Sequence, residues 1–141
     1  MTVAQVESSA AATVLELPFE VGSARTARRR LEADLREAGT SDDDAHDALL
    51  VLSELVGNAL RHARPLPAGT LRVAWTRERD GLEISVTDGG GPTHPRMLDL
   101  PPSALGGRGL AIVDELSSAW GVRRDGESTT VYAILPLRSS E

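Results

Sequence analysis

The chain has 141 residues, 40% hydrophobic and 26% charged, which is one ordinary domain around a single core. It has no cysteine, and its 15 basic residues are all arginine; this excludes disulfides, thiolate metal sites, a P-loop and lysine Schiff-base chemistry. A net charge of −6 argues against a duplex nucleic-acid binder, and no apolar run approaches the ~20 residues of a membrane span.

Residues 1–13 are small and polar and lack the basic and apolar regions of a signal peptide, so they read as a flexible tail of a cytoplasmic protein. Residues 14–20 (VLELPFE) alternate in and out, which predicts a strand, and Pro18 suggests an edge strand. Ser23 is placed to cap a helix running to about Ala38, where Gly39 ends it. Ser41 with Asp42, Asp43 and Asp44 opens a second helix, the acids suiting the positive end of its dipole. Apolar residues recur in steps of three and four from Ala45 to Ala63, until Arg64-Pro65-Leu66-Pro67 breaks the pattern.

Residues 70–76 and 82–87 read as two strands joined at Arg79-Asp80-Gly81. A long stretch rich in Gly and Pro, residues 88–105, follows; a loop of this length in a small domain usually carries function. A third helix is expected from Gly107 to about Ala119, then strands at 120–124 and 129–137 around an Asp125-Gly126 turn. The order β-α-α-β-β-loop-α-β-β predicts an α/β two-layer sandwich: a mostly antiparallel, mixed sheet with helices on one face. Residues 14–141 form its single domain.

Three places offer chemistry. Glu54 and Asn58 sit four apart on the second helix, their side chains roughly 40° apart around its axis. A carboxylate there can take a proton and an amide oxygen can ligate Mg²⁺; a solvated helix face is the plain alternative, since Glu54 lies nearly opposite the apolar stripe. Asp88-Gly89-Gly90-Gly91-Pro92 follows a strand directly. Its carboxylate can accept from an exocyclic amino group and its glycines admit a flat ligand, or it is only a flexible turn. Gly106-Gly107-Arg108-Gly109-Leu110 opens the third helix, where free N–H groups suit a phosphate, or it is only an N-cap or hinge.

In this order and spacing, ELVGNALRHA, VTDGGGP, GGRGLAIVDELSSAWGV and TTVYAILP resemble the GHKL ATPase superfamily. Within it, the chain looks most like the small bacterial anti-sigma-factor serine/threonine kinases, over residues 14–137. The resemblance implies ATP and Mg²⁺ as cofactors. It gives Asn58 the metal, Glu54 the general base on the acceptor hydroxyl, Asp88 the adenine amino group and Gly90 a place beside the base. Gly107 and Gly109, with the amides of Arg108 and Leu110, match its phosphate-binding turn. Residues 92–105 match its lid, and Thr129 or Thr130 a threonine that meets adenine through water. Arg25 falls where these kinases meet their protein partners.

Two departures stand out. Pro92 replaces the last glycine of the family's Asp-x-Gly-x-Gly, and with no lysine available Arg96 or Arg108 is left to reach the γ-phosphate. The expected partners are an anti-anti-sigma (STAS-type) protein and a sigma factor, with a homodimer allowed; no nucleic acid or membrane is expected. The other reading is a non-catalytic ATP-binding module whose nucleotide state switches a docking surface. Bland readings hold elsewhere: Arg28-Arg29-Arg30 as a solvated face, His62 as a local hydrogen-bonding group, His46 and His94 without metal spacing, and Trp75 and Trp120 as sheet packing.

Overall fold

The computed structural model describes residues 4–8, 12–79, 81–91 and 109–137. In chain order the elements are β1 (Ala4–Ser8), β2 (Ala12–Pro18), α1 (Gly22–Glu37), α2 (Asp42–His62), β3 (Thr70–Glu78), β4 (Gly81–Asp88), α3 (Gly109–Leu116), β5 (Ala119–Asp125) and β6 (Ser128–Pro136). The strands form one six-stranded sheet in the order β1-β2-β3-β4-β6-β5. Every pairing described is antiparallel, so the parallel component allowed by a mixed sheet is not found among these strands.

Strand alternation decides which face the helices cover. Leu15 and Leu17 on β2, Leu71 and Val73 on β3, Ile84 and Val86 on β4, and Ala133 and Leu135 on β6 all point to one face and are buried. Leu31 and Leu35 of α1 and Val51, Leu52, Leu55 and Val56 of α2 meet them there and complete the core. The helix layer lies on this face, with α2 packed against α1, α3 and β4. Among the described residues no helix is long and apolar enough to cross a membrane.

Several local expectations change. Residues 4–8, read as part of a flexible tail, pair with β2 as β1, with a bulge between Gln5 and Glu7. β2 is therefore flanked on both sides and is not an edge strand. Its Pro18 is tolerated at the strand's last position, beyond Glu16, where the β1 pairing stops.

Ser23 does not cap α1. The helix starts one residue earlier, and the Ser23 hydroxyl donates to the Pro18 carbonyl, tying the first turn to β2. The C-terminus closes as foreseen: Gly39, at φ +77°, donates to the Arg36 carbonyl while Thr40 donates to that of Leu35, a Schellman motif. Ser41 caps α2 by accepting from the Asp44 amide at 3.2 Å. α3 ends at Leu116, short of Ala119, because the Ser118 amide and hydroxyl both donate to the Ile134 carbonyl and draw the chain into the sheet.

Candidate functional site

β4 ends at Asp88, whose side chain falls on the helix-covered face and is only 5% exposed. The Gly90 amide donates to its Oδ1 at 2.7 Å. Burial pushes the carboxyl above its ordinary value, while the Gly90 N–H and the Arg124 guanidinium oppose that rise. Across the sheet, Asp88 is paired with Thr129 of β6, which is also buried.

The glycines after Asp88 are set by backbone packing. A Cβ on Gly89 would stand 2.1 Å from the Pro65 carbonyl oxygen, and one on Gly91 2.8 Å from that of His62. This close approach lets the Gly89 amide donate to the Arg64 carbonyl at 2.8 Å and the Arg64 amide donate to the Gly90 carbonyl at 2.7 Å. The strand end carrying Asp88 is thereby clamped to the segment leaving α2. Gly90 itself has φ +87°, and a Cβ there would come within 2.7 Å of the Glu127 carbonyl oxygen.

A pocket lies over this floor. Asn58, Ala59, His62 and Ala63 line it from α2 and its end, Asp88, Gly90 and Gly91 from the β4 side, and Thr129 and Val131 from β6. Asn58 is 9% exposed and brings its side-chain amide to the pocket from α2. The pocket therefore offers a buried acceptor-only carboxylate, a hydroxyl and an amide, beside a surface where only hydrogen fits as a side chain. That set suits a flat heterocycle with an exocyclic amino group, and an amide oxygen suits a hard divalent cation. Among the described residues no group of three His, Asp or Glu side chains is placed to hold a metal alone, so a cation here would need ligand oxygens as well.

Asn58, Asp88, Gly90 and Thr129 are thus brought together. Thr130 is not: its hydroxyl lies 2.7 Å from that of Thr87, on the sheet face away from the helices. Glu54 is half-buried on α2, one turn before Asn58, and is outside the pocket lining. Gly109 begins α3, and Leu110 is buried at 2% exposure. Gly107, Arg108, Arg96, His94 and the rest of the 92–105 segment lie outside the described residues.

Of the side readings, Arg25, Arg28 and Arg29 are exposed on α1. Trp75 donates to Asp34 at 2.9 Å and packs in the core, and Trp120 donates to Asp114 at 3.1 Å. His62, read as a merely local group, lines the pocket. Ala59, Ala63 and Val131, which also line the pocket, and Arg124, whose charge acts on Asp88, were missed. The signal for Arg124 was present: a two-residue turn at Gly126 and Glu127 sets it directly opposite Thr129.

The model of the histidine kinase-like ATPase domain matches residues 17–135. Among solved structures, the chain is similar to the RsbU and RsbW domains of Rv1364c from Mycobacterium tuberculosis, with a TM-score of 0.67 and 24% identity over 90% of this chain. It spans only 33% of that longer chain. It is also similar to a chain of the SiaB-SiaC complex from Pseudomonas aeruginosa, with a TM-score of 0.67 and 16% identity over 86% of this chain and 88% of that one. The histidine kinase AdeS of Acinetobacter baumannii aligns with a TM-score of 0.51 and 20% identity, over 89% of this chain and 68% of the other. No curated protein sequence matches. These structural likenesses concern the fold, whereas the family model covers most of the chain and carries ATP as the implied ligand: the chain belongs to the histidine kinase-like ATPase domain family, within the GHKL superfamily.

Proposed function

We propose that this chain is a Mg·ATP-dependent serine/threonine kinase of the anti-sigma-factor type, acting on an anti-anti-sigma (STAS-type) partner and also able to sequester a sigma factor. The observation that carries the nucleotide part is the buried Asp88 carboxylate, with Thr129 beside it and the Asn58 amide reaching the same pocket from α2. Asp88 accepts from the adenine amino group, and Thr129, rather than Thr130, is the threonine beside it. The Asn58 oxygen is the protein ligand for Mg²⁺, which when bound offsets the phosphate charge. The start of α3, with Gly107, Arg108, Gly109 and Leu110, receives the phosphates on its amides.

Glu54 takes the proton from the acceptor hydroxyl. The oxygen so freed forms its bond to the γ-phosphorus as the bond from that phosphorus to the bridging oxygen breaks, and ADP leaves with that electron pair. The partner is inferred from the resemblance to anti-sigma-factor kinases and from a fold neighbour solved as the SiaB-SiaC complex. Labelled γ-phosphate from ATP, followed onto a STAS-domain protein bearing the acceptor serine or threonine, tests the activity. Glu54→Gln should abolish transfer and leave ATP affinity unchanged; transfer at the wild-type rate would remove Glu54 as the base.

One observation favours the second reading, a module that binds ATP without turnover: Glu54 lies outside the pocket lining. In that case ATP occupancy alters partner affinity, no label is transferred, and Glu54→Gln behaves as wild type throughout.

A further inference from the structure

Asp88 has a charged neighbour that the motif does not contain. In the antiparallel register Asp88 is opposite Thr129, and Thr129 is opposite Arg124 on the edge strand β5. Directly opposed residues share a face, so the three form a row across β4, β6 and β5 on the helix-bearing side. With strands spaced about 4.8 Å apart, the Arg124 backbone stands about 10 Å from that of Asp88, and a long guanidinium side chain spans part of that gap. Asp88 and Thr129 are buried, whereas Arg124 is exposed at the sheet edge.

We propose that Arg124 is a positioning residue of the nucleotide site: from the end of this cross-strand row, its charge keeps Asp88 an ionised, acceptor-only carboxylate turned toward the base. This inference rests on reading the Asp88 pocket as the adenine site. Its physical need is clear. A buried carboxyl tends to keep its proton, and a protonated Asp88 would present an O–H toward the amino donors it should accept from.

Two groups oppose protonation, the Gly90 amide and the Arg124 guanidinium, and of these only Arg124 is a side chain. The other ionisable or charged residues around Asp88 come from every neighbouring element. His62 lines the pocket from α2. Arg64 meets the Asp88 loop through its backbone. Asp125 and Glu127 sit at the β5–β6 turn, and as acids they would favour the protonated form. Asp114 on α3 is bonded to Trp120, and Arg72, opposite Thr87, lies on the far face of the sheet.

The experiment has two arms. The first follows the Asp88 carboxyl carbon by NMR through a pH titration of the ligand-free chain, with Asp88→Asn identifying the resonance and His62→Gln separating any contribution of the imidazole. Arg124→Gln should move the midpoint up, the direction expected when a partly screened positive charge is removed. Arg124→Glu should move it further, Arg124→Lys should leave it near wild type, and high salt should shrink the differences. An exposed edge position makes these variants compatible with folding, and thermal melts verify it.

The second arm measures ATP affinity against pH by calorimetry. Arg124→Gln should match wild type within about twofold well above the Asp88 midpoint, then lose affinity at a higher pH than wild type does as the solution is acidified. An Asp88 midpoint unmoved by Arg124→Gln overturns the proposal, as does an affinity loss equal at all pH values. If wild type binds no ATP at any pH, the adenine-site reading fails, and the NMR arm still reports separately whether the charge coupling exists.

Discussion

Burial makes Asp88 costly to the empty protein. Its carboxyl lies above its ordinary value, chiefly from desolvation. The sign is the reverse of a salt-bridged aspartate. Between the unfolded and folded values the folded state holds the extra proton, so stability contributed by this group is present at low pH and is lost as pH rises through the folded value. At neutral pH, Asp88→Asn should therefore be at least as stable as wild type in urea, since the Asn oxygen still accepts from Gly90, while ATP affinity falls about tenfold or more with the charged acceptor gone. A destabilised Asp88→Asn would show that the carboxylate is held for the fold. The glycines make the complementary case. Gly89→Ala forces a Cβ onto the Pro65 carbonyl and should cost about 1–3 kcal/mol in denaturant unfolding. Gly22→Ala, with nothing within 4 Å of the added carbon at the start of α1, should be neutral or stabilising by about 0.5–1 kcal/mol.

The helices position the site because each is anchored to the sheet. Asp34 of α1 accepts from Trp75 Nε1 at 2.9 Å and from Thr13 Oγ1 at 3.2 Å, while Arg30 bonds its other oxygen at 3.4 Å. One carboxylate thus joins α1 to β2 and β3. Asp34→Ala leaves a largely buried indole N–H without its acceptor, so a loss of about 1–3 kcal/mol is expected in urea. A change in tryptophan emission should accompany it. α2 does more than pack. Val51, Leu52, Leu55 and Val56 bury its inner face, and that face carries Asn58 and His62 to the strand end bearing Asp88. Leu52→Ala should cost about 2–5 kcal/mol. Its effect on ATP affinity in the surviving folded fraction should be small, which separates scaffold from site.

At the scale of the whole molecule, the pocket joins three parts of the chain: the end of α2, the end of β4 and the start of β6. A ligand bridging them should stabilise the domain as a unit. ATP at a hundred times its Kd should add about 2.7 kcal/mol, seen as a rise of several degrees in Tm. That rise should need Mg²⁺ and should be lost in Asn58→Ala. A rise unaffected by chelation would remove Asn58 as the cation's ligand.

Much of this was legible along the chain. Alternation in β3, β4 and β6 and the three-four spacing of α2 follow from which residues leave water, so element type and the helix-bearing layer could be read directly. Ser41, Gly39 and the Asp125-Gly126 turn marked boundaries through local hydrogen bonding and backbone freedom. Asn58, Asp88 and Gly90 were picked out by motif order and spacing and by the resemblance to the GHKL superfamily, and the structure places them on one pocket. Pairing between distant segments was not legible. That residues 4–8 add a strand, that Thr129 rather than Thr130 meets Asp88, that Gly89 and Gly91 are demanded by the carbonyls of Pro65 and His62, and that Arg124 ends a row begun at Asp88 all depend on register. A one-residue slip in a strand turns every side chain to the opposite face. Residue spacing along the chain sets the elements and the chemistry they carry; which of those groups face one another follows from the packing of segments far apart in the chain.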